Sequence, residues 1–181
     1  MQLIIFDIDG TLTNTNQIDA DCFIQAFDLE FGIADINTNW AEYTYITDSG
    51  LAQEIFREKL ERVALDEELF RLKRCFVNLL EEVFTNDQDL CKEITGATNL
   101  LVELQKLSVW RVAIATAGWG ESAKLKLQKA MLPIAGLPLA SADDGLSRAD
   151  TLNAAIFKAK NVYQVDDFEK IVFVGDGVWD V

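Results

Sequence analysis

Four consecutive apolar residues, Leu3-Ile4-Ile5-Phe6, run straight into Asp7-Ile8-Asp9-Gly10-Thr11. A short apolar run with β-branched content, stopped abruptly by charges and a glycine, is the pattern of a strand buried on both faces of a parallel sheet. In open α/β sheets, ligands bind just beyond the carboxyl ends of the strands, and Asp7 and Asp9 fall at that position. Two carboxylates two residues apart beside a crevice repel one another and invite a divalent cation. The rest of the chain has to supply partners for that point.

The chemistry available is narrowed by what is missing. With 181 residues and no histidine, the chain has no Ser-His-Asp or Cys-His arrangement and no imidazole to ligate a metal or move a proton. Catalysis would run on carboxylates, hydroxyls, amines or a bound metal, and an oxygen-rich acidic site favours Mg²⁺ over zinc or copper. Thirty acidic against sixteen basic residues give a formal charge of −14, which opposes unaided binding to nucleic acid or to an anionic membrane. No apolar run approaches the ~18–20 residues needed to span a bilayer, and no basic leader precedes the first strand. A cytoplasmic protein is expected. Cys22, Cys75 and Cys91 are widely spaced, form no C-x-x-C pair, and read as small packing residues.

Hydrophobic spacing divides the chain. From Asp19, the residues Cys22, Phe23, Ala26, Phe27 and Phe31 recur at helical intervals, with Gly32 as a stop. Residues 37–49 are aromatic but irregular. A second stripe of Leu51, Ile55, Leu60 and Val63 follows, and then a third of Leu69, Leu72, Phe76, Leu79, Leu80 and Val83, opened by acidic residues that suit a helix start. Residues 15–88 thus read as a helical module behind the first strand. Alternation then begins: a helix from Gly96 with Leu100, Leu101, Leu104 and Leu107 on one face, a strand over 109–115, a helix from Glu121 to Met131, a weak strand over 139–142, a helix from Ala149 to Lys160 and a strand over 171–174. Lys124, Lys126 and Lys129 read as mostly solvated. The expected fold is α/β, a Rossmann-like parallel sheet from 1–14 and 89–181 with 15–88 as an inserted helical domain.

Asp7-Ile8-Asp9-Gly10-Thr11-Leu12-Thr13 resembles the first signature of the haloacid dehalogenase superfamily in its phosphatase form. The resemblance implies that Asp7 is a covalent nucleophile and Asp9 a general acid/base, with Gly10 and Thr11 shaping the turn. The second signature is matched by Thr116, where its hydroxyl and the Ala117-Gly118 amides would hold phosphoryl oxygens. Arg148 is the match to the third, a cation that clamps phosphate; many relatives have Lys-Pro where this chain has Arg148-Ala149, and Lys124 is the reserve. The fourth is matched by Gly175-Asp176-Gly177-Val178-Trp179-Asp180, so that Asp176 would ligate Mg²⁺ with the Asp7 carboxylate and the Asp9 carbonyl, supported by Asp180. The helical insert resembles the cap of the phosphoglycolate phosphatase and β-phosphoglucomutase branch, with Thr47-Asp48-Ser49-Gly50 the stretch expected to approach the crevice. The family continues with a further helix and strand, so the C-terminal part of the core is expected to be missing here.

The implied activity is Mg²⁺-dependent hydrolysis of a small phosphorylated metabolite through an aspartyl-phosphate. A phosphomutase shares all four signatures and stays open. Dehalogenation is disfavoured by Asp9, and a receiver domain by the long insert. A non-enzymatic phospho-accepting or binding module is the remaining alternative.

Overall fold

The computed structural model describes residues 1–177; Asp180, named above as a supporting residue, lies outside the described residues. Four parallel strands form one sheet in the order β3-β2-β1-β4: β1 is Gln2–Phe6, β2 is Trp110–Ala115, β3 is Leu139–Ala140 and β4 is Lys170–Val174. The first strand in sequence is central, with Ile4 opposite Val112 on one side and Val172 on the other. Because β1 lies between two neighbours, the point where it ends is flanked by the ends of β2 and β4.

Period-two alternation sorts β1 between the two faces of the sheet. Leu3 and Ile5 pack with Ala113, Ala115, Ala155 and Ala159, whereas Phe6 joins Val112 and Ile114 in the larger core on the opposite face. The small residues of the first face let helix α6 (Arg148–Tyr163) lie close to the strands.

Helices α1 (Asn16–Phe31), α2 (Asp48–Leu60) and α3 (Asp66–Asn86) fill the segment behind β1, followed by α4 (Ala97–Lys106) and α5 (Gly120–Lys129). The stripes expected from the sequence form their buried faces: Cys22, Phe23, Ala26 and Phe27 on α1, and Leu72, Phe76, Leu80 and Phe84 on α3. Gly32 ends α1 with φ of 67°, a left-handed conformation that glycine adopts without a Cβ clash. The irregular aromatic stretch forms a single 3₁₀ turn, Trp40–Glu42, and otherwise loop. On α4 the expected face is narrower, since Leu101 is buried while Leu100 and Leu107 are about half exposed.

The insert does not have a core of its own. Phe6 and Ile8 at the end of β1 belong to the same apolar cluster as Phe27, Phe56 and Phe76. Trp119, just before α5, is the joint: its ring centroid lies 5.8 Å from Phe23 and 5.7 Å from Phe76, and its Nε1–H donates to Ser49 Oγ at 2.8 Å. Truncating such an aromatic to alanine costs about 3–5 kcal/mol. Among the described residues, no helix is long and apolar enough to cross a membrane.

Candidate active site

Asp7 follows β1 directly, with its N–H donating to Val174 O of β4 at 2.9 Å. Ile8 is fully buried, so Asp7 and Asp9 on either side of it turn toward the cleft. The chain then reverses. The N–H groups of Thr11, Leu12 and Thr13 all donate to Ile8 O, and Gly10 N–H donates to Thr13 O. Gly10 has φ of 75°, and a Cβ there would lie 2.0 Å from Asp176 Oδ2 and 2.4 Å from Asn16 Nδ2. Gly10 therefore both permits the turn and leaves room for Asp176.

Arg148 is the cation of the site. Its guanidinium lies 3.0 Å from Asp7 Oδ1, donates from Nη1 to Ala115 O at 3.3 Å, and stands 5.0 Å over the Phe173 ring. The residue begins α6, where Ser147 caps the helix by accepting from Asp150 N–H. Burial pushes the Asp7 carboxyl up to about 7; Arg148 opposes that shift and the Asp9 charge adds to it.

Thr116 directly follows β2, and its buried Oγ1 accepts the Gly118 N–H at 3.1 Å. The hydroxyl proton is left to donate, while the Gly118 amide is already engaged. The Trp119 N–H is also taken, by Asp48 Oδ2 at 2.8 Å, and the Gly120 N–H by Asp143 Oδ2 at 2.9 Å. Two carboxylates thus sit at the α5 N-terminus, where the sequence leads one to expect phosphate oxygens. Asp176 accepts from Asn16 Nδ2 at 2.9 Å, and both residues line the cleft.

Three residues of the site were not apparent in the sequence in these roles. Lys126, expected to be solvated, is completely buried; its Nζ donates to both Asp9 oxygens at 2.7 Å and to Asp19 Oδ1 at 2.5 Å. Thr15 Oγ1 also donates to Asp9, at 2.5 Å. Burial alone would lower the Lys126 ammonium, but Asp19 and Asp9 more than offset it and hold the group above its usual range. Burial raises Asp19 to about 6 against the pull of Lys126, and it lifts Asp48 well above the ordinary carboxylate range, with the nearby Asp19 charge adding to the effect. Lys124, the reserve cation, is exposed on the opposite side of α5.

Asp7, Asp9, Asp19, Asp48, Thr116 and Asp176 line one cleft of about 620 Å³, while Arg148, Lys126 and Thr15 contact its carboxylates from outside the lining. Asp7, Asp9, Thr116, Ala117, Gly118 and Asp176 form its floor, and Phe23, Trp40, Ile46, Asp48 and Leu51 reach over it from the insert. The Thr47–Gly50 stretch meets the crevice as expected, as the cap and first turn of α2. Thr47 Oγ1 donates to Leu146 O at 2.6 Å, Asp48 N–H to Ala117 O at 2.9 Å and Ser49 Oγ to Ala142 O at 2.8 Å.

For a cation, the donors offered are the Asp7 and Asp176 carboxylates. Asp9 presents its side chain to Lys126 and Thr15, and its carbonyl accepts none of the turn's hydrogen bonds. Among the described residues, no three acidic or thiol side chains gather into a metal cluster. Two carboxylates and a carbonyl are nevertheless an all-oxygen set suited to Mg²⁺ with water filling the remaining positions. The gap that a Gly10 Cβ would close is where Asp176 enters that set.

A parallel α/β sheet with acidic groups collected at its strand ends, and helices inserted behind the first strand, places the chain in the Rossmann-like α/β class. The chain belongs to the haloacid dehalogenase-like hydrolases, whose family description matches residues 1–181. Among solved structures, a hydrolase from Pseudomonas syringae aligns with TM-score 0.73 and 25% identity, covering 99% of this chain and 78% of that one. CbbY from Rhodobacter sphaeroides, solved in complex with phosphate, aligns with TM-score 0.58 and 18% identity, covering 98% and 78%. A candidate phosphoglycolate phosphatase from Lactobacillus plantarum aligns with TM-score 0.55 and 22% identity, covering 99% and 79%. No curated protein matches the chain.

Proposed function

We propose that this hydrolase is a Mg²⁺-dependent phosphatase acting on a small phosphomonoester, with Asp7 as nucleophile and Asp9 as general acid/base. The observation that carries the reading is the contact between Arg148 and Asp7, a guanidinium held 3.0 Å from a buried carboxylate on the floor of the cleft. A phosphate dianion approaching an anionic nucleophile needs positive charge at that point. Phosphate bound to CbbY, a protein of the same fold, supports a phosphorylated substrate here.

In the first step an Asp7 oxygen attacks phosphorus, and the bond from phosphorus to the ester oxygen breaks. The departing alkoxide takes a proton from Asp9, giving a free alcohol and an aspartyl-phosphate. In the second, a water attacks phosphorus and gives its proton to Asp9; inorganic phosphate leaves and the Asp7 carboxylate is restored. Arg148 and the Thr116 hydroxyl hold the equatorial oxygens. Asp7, Asp176 and the Asp9 carbonyl would hold Mg²⁺, which when bound supplies Lewis-acid neutralisation of phosphoryl charge. Lys126 and Thr15 contact the Asp9 side chain and fix its orientation.

Segment 15–88 acts as the cap: Trp40, Ile46 and Asp48 stand over the floor and would exclude water from the reacting phosphate. The test is phosphate release with Mg²⁺ over a panel of metabolite monoesters by the 181-residue chain and by Asp7→Asn. Hydrolysis by the parent, with loss of at least ~10³-fold in the variant, supports the reading; equal rates remove it. Isomerisation of a sugar phosphate without free phosphate would favour a mutase.

A further inference from the structure

Carboxylates line the cleft on its floor (Asp7, Asp9, Asp176) and on its insert side (Asp19, Asp21, Asp48) alike. Of the side chains facing it, six are aspartates and none is lysine or arginine among the described residues; Arg148 and Lys126 reach Asp7 and Asp9 from behind. Arg148 answers Asp7, and Lys126 is shared between Asp9 and Asp19. That leaves Asp21 and Asp48 on the insert side with no ion pair among the described residues. Asp21 is exposed at the rim and accepts a hydrogen bond from Gln17 Nε2 at 2.9 Å. Beside them the wall is aromatic, with Phe23 and Trp40 packed edge to face at 6.1 Å between ring centroids.

A phosphate held by Arg148 and Thr116 projects its alcohol part into this wall. A second anionic group there would lose its hydration next to carboxylates, with no cation to receive it. An ammonium group would meet opposite charge beside the half-buried Trp40 ring, which the buried Phe23 backs. We infer that the substrate is the phosphomonoester of an amino alcohol, with a primary or quaternary ammonium seated among Asp21, Asp48, Phe23 and Trp40 and no second negative group. This rests on the phosphatase reading and narrows its substrate class, excluding phosphoglycolate as the preferred ester. Burial and the nearby Asp19 charge raise the Asp48 carboxyl above its usual range, and an ammonium beside it would act in the opposite direction.

The test measures kcat/KM with Mg²⁺ for phosphocholine, phosphoethanolamine, phosphoglycolate and the uncharged-alcohol ester p-nitrophenyl phosphate. The expected result is a preference of about tenfold or more for the two amino-alcohol esters over phosphoglycolate, carried mainly by KM. Asp21→Asn and Trp40→Ala are each expected to raise KM for phosphocholine several-fold and to narrow its advantage over p-nitrophenyl phosphate. Equal or better use of phosphoglycolate, or a preference that neither variant alters, overturns the inference while leaving the phosphatase reading intact. Failure to hydrolyse any ester, p-nitrophenyl phosphate included, removes the phosphatase reading and this inference with it.

Discussion

The ammonium of Lys126, with no solvent exposure, lies 2.7 Å from both carboxylate oxygens of Asp9. The same nitrogen bonds Asp19 of α1, so one buried charge ties the catalytic loop, the insert's first helix and α5 together. Removing one member of a buried ion cluster leaves the others uncompensated, at about 3–5 kcal/mol. Lys126→Met is expected to lose that much stability in chemical denaturation, and adding Asp19→Leu to recover part of it. A variant within about 0.5 kcal/mol of the parent would show that the cluster contributes little.

Arg148 has a geometry that lysine cannot reproduce. It meets Asp7 and the Ala115 carbonyl while its guanidinium plane covers the Phe173 ring. Arg148→Ala is expected to lower kcat by about 10²–10³-fold, the usual loss when a fixed charge donor is removed. Arg148→Lys is expected to recover a minority of that, because a point charge cannot keep the stacking and both contacts. Full recovery in steady-state assays would mean that charge alone is used.

Gly10→Ala tests the space around Asp176. The new methyl would lie 2.0 Å from Asp176 Oδ2, and the residue would have to hold φ of 75°. The expected cost is about 1–3 kcal/mol, together with a weaker rise in melting temperature on adding Mg²⁺. An undiminished Mg²⁺ response would place the cation away from Asp176.

Glu68 gives a pH dependence separate from the active site. Two hydrogen bonds from Arg62, at 2.7 and 2.6 Å, lead in lowering its carboxyl to about 2, and the Leu65 N–H adds to the effect at the start of α3. The folded value lies below the unfolded one, so the ionised form stabilises the fold at neutral pH. That contribution is expected to fade as pH falls from about 4.5 toward 2. Solvent screening keeps it to about 1 kcal/mol or less. Melting curves of the parent and Glu68→Gln are therefore expected to differ near pH 6 and to draw together as pH falls through about 2; a constant gap would contradict the assignment.

The strand ends were legible because their signals are local: an apolar run that stops at an acid or hydroxyl predicts both the strand and the direction of the group after it. Asp7, Thr116 and Asp176 meet in one cleft on that logic. Lys126 was misread as part of a solvated lysine face, although Ala123, Lys126, Leu127 and Ala130 fall at the i, i+3, i+4, i+7 spacing of a buried stripe. Asp19 stands in the same relation to Cys22, Phe23 and Ala26 on α1. Two opposite charges on two apolar stripes carried the signal for their pairing, but which helices would meet is a long-range fact that no local pattern contains. Asp48 was anticipated near the crevice, whereas its capture of the Trp119 N–H depends on how α2 docks against α5.

Trapping the covalent intermediate tests the central claim most directly. The chain would be quenched during turnover of a hydrolysed phosphomonoester and reduced with borohydride, which converts an acyl phosphate on aspartate to homoserine, and the peptides would then be mapped by mass spectrometry. The expected result is homoserine at position 7 in the parent and none in Asp7→Asn. Modification at a different carboxylate, or sustained turnover by Asp7→Asn, would contradict it.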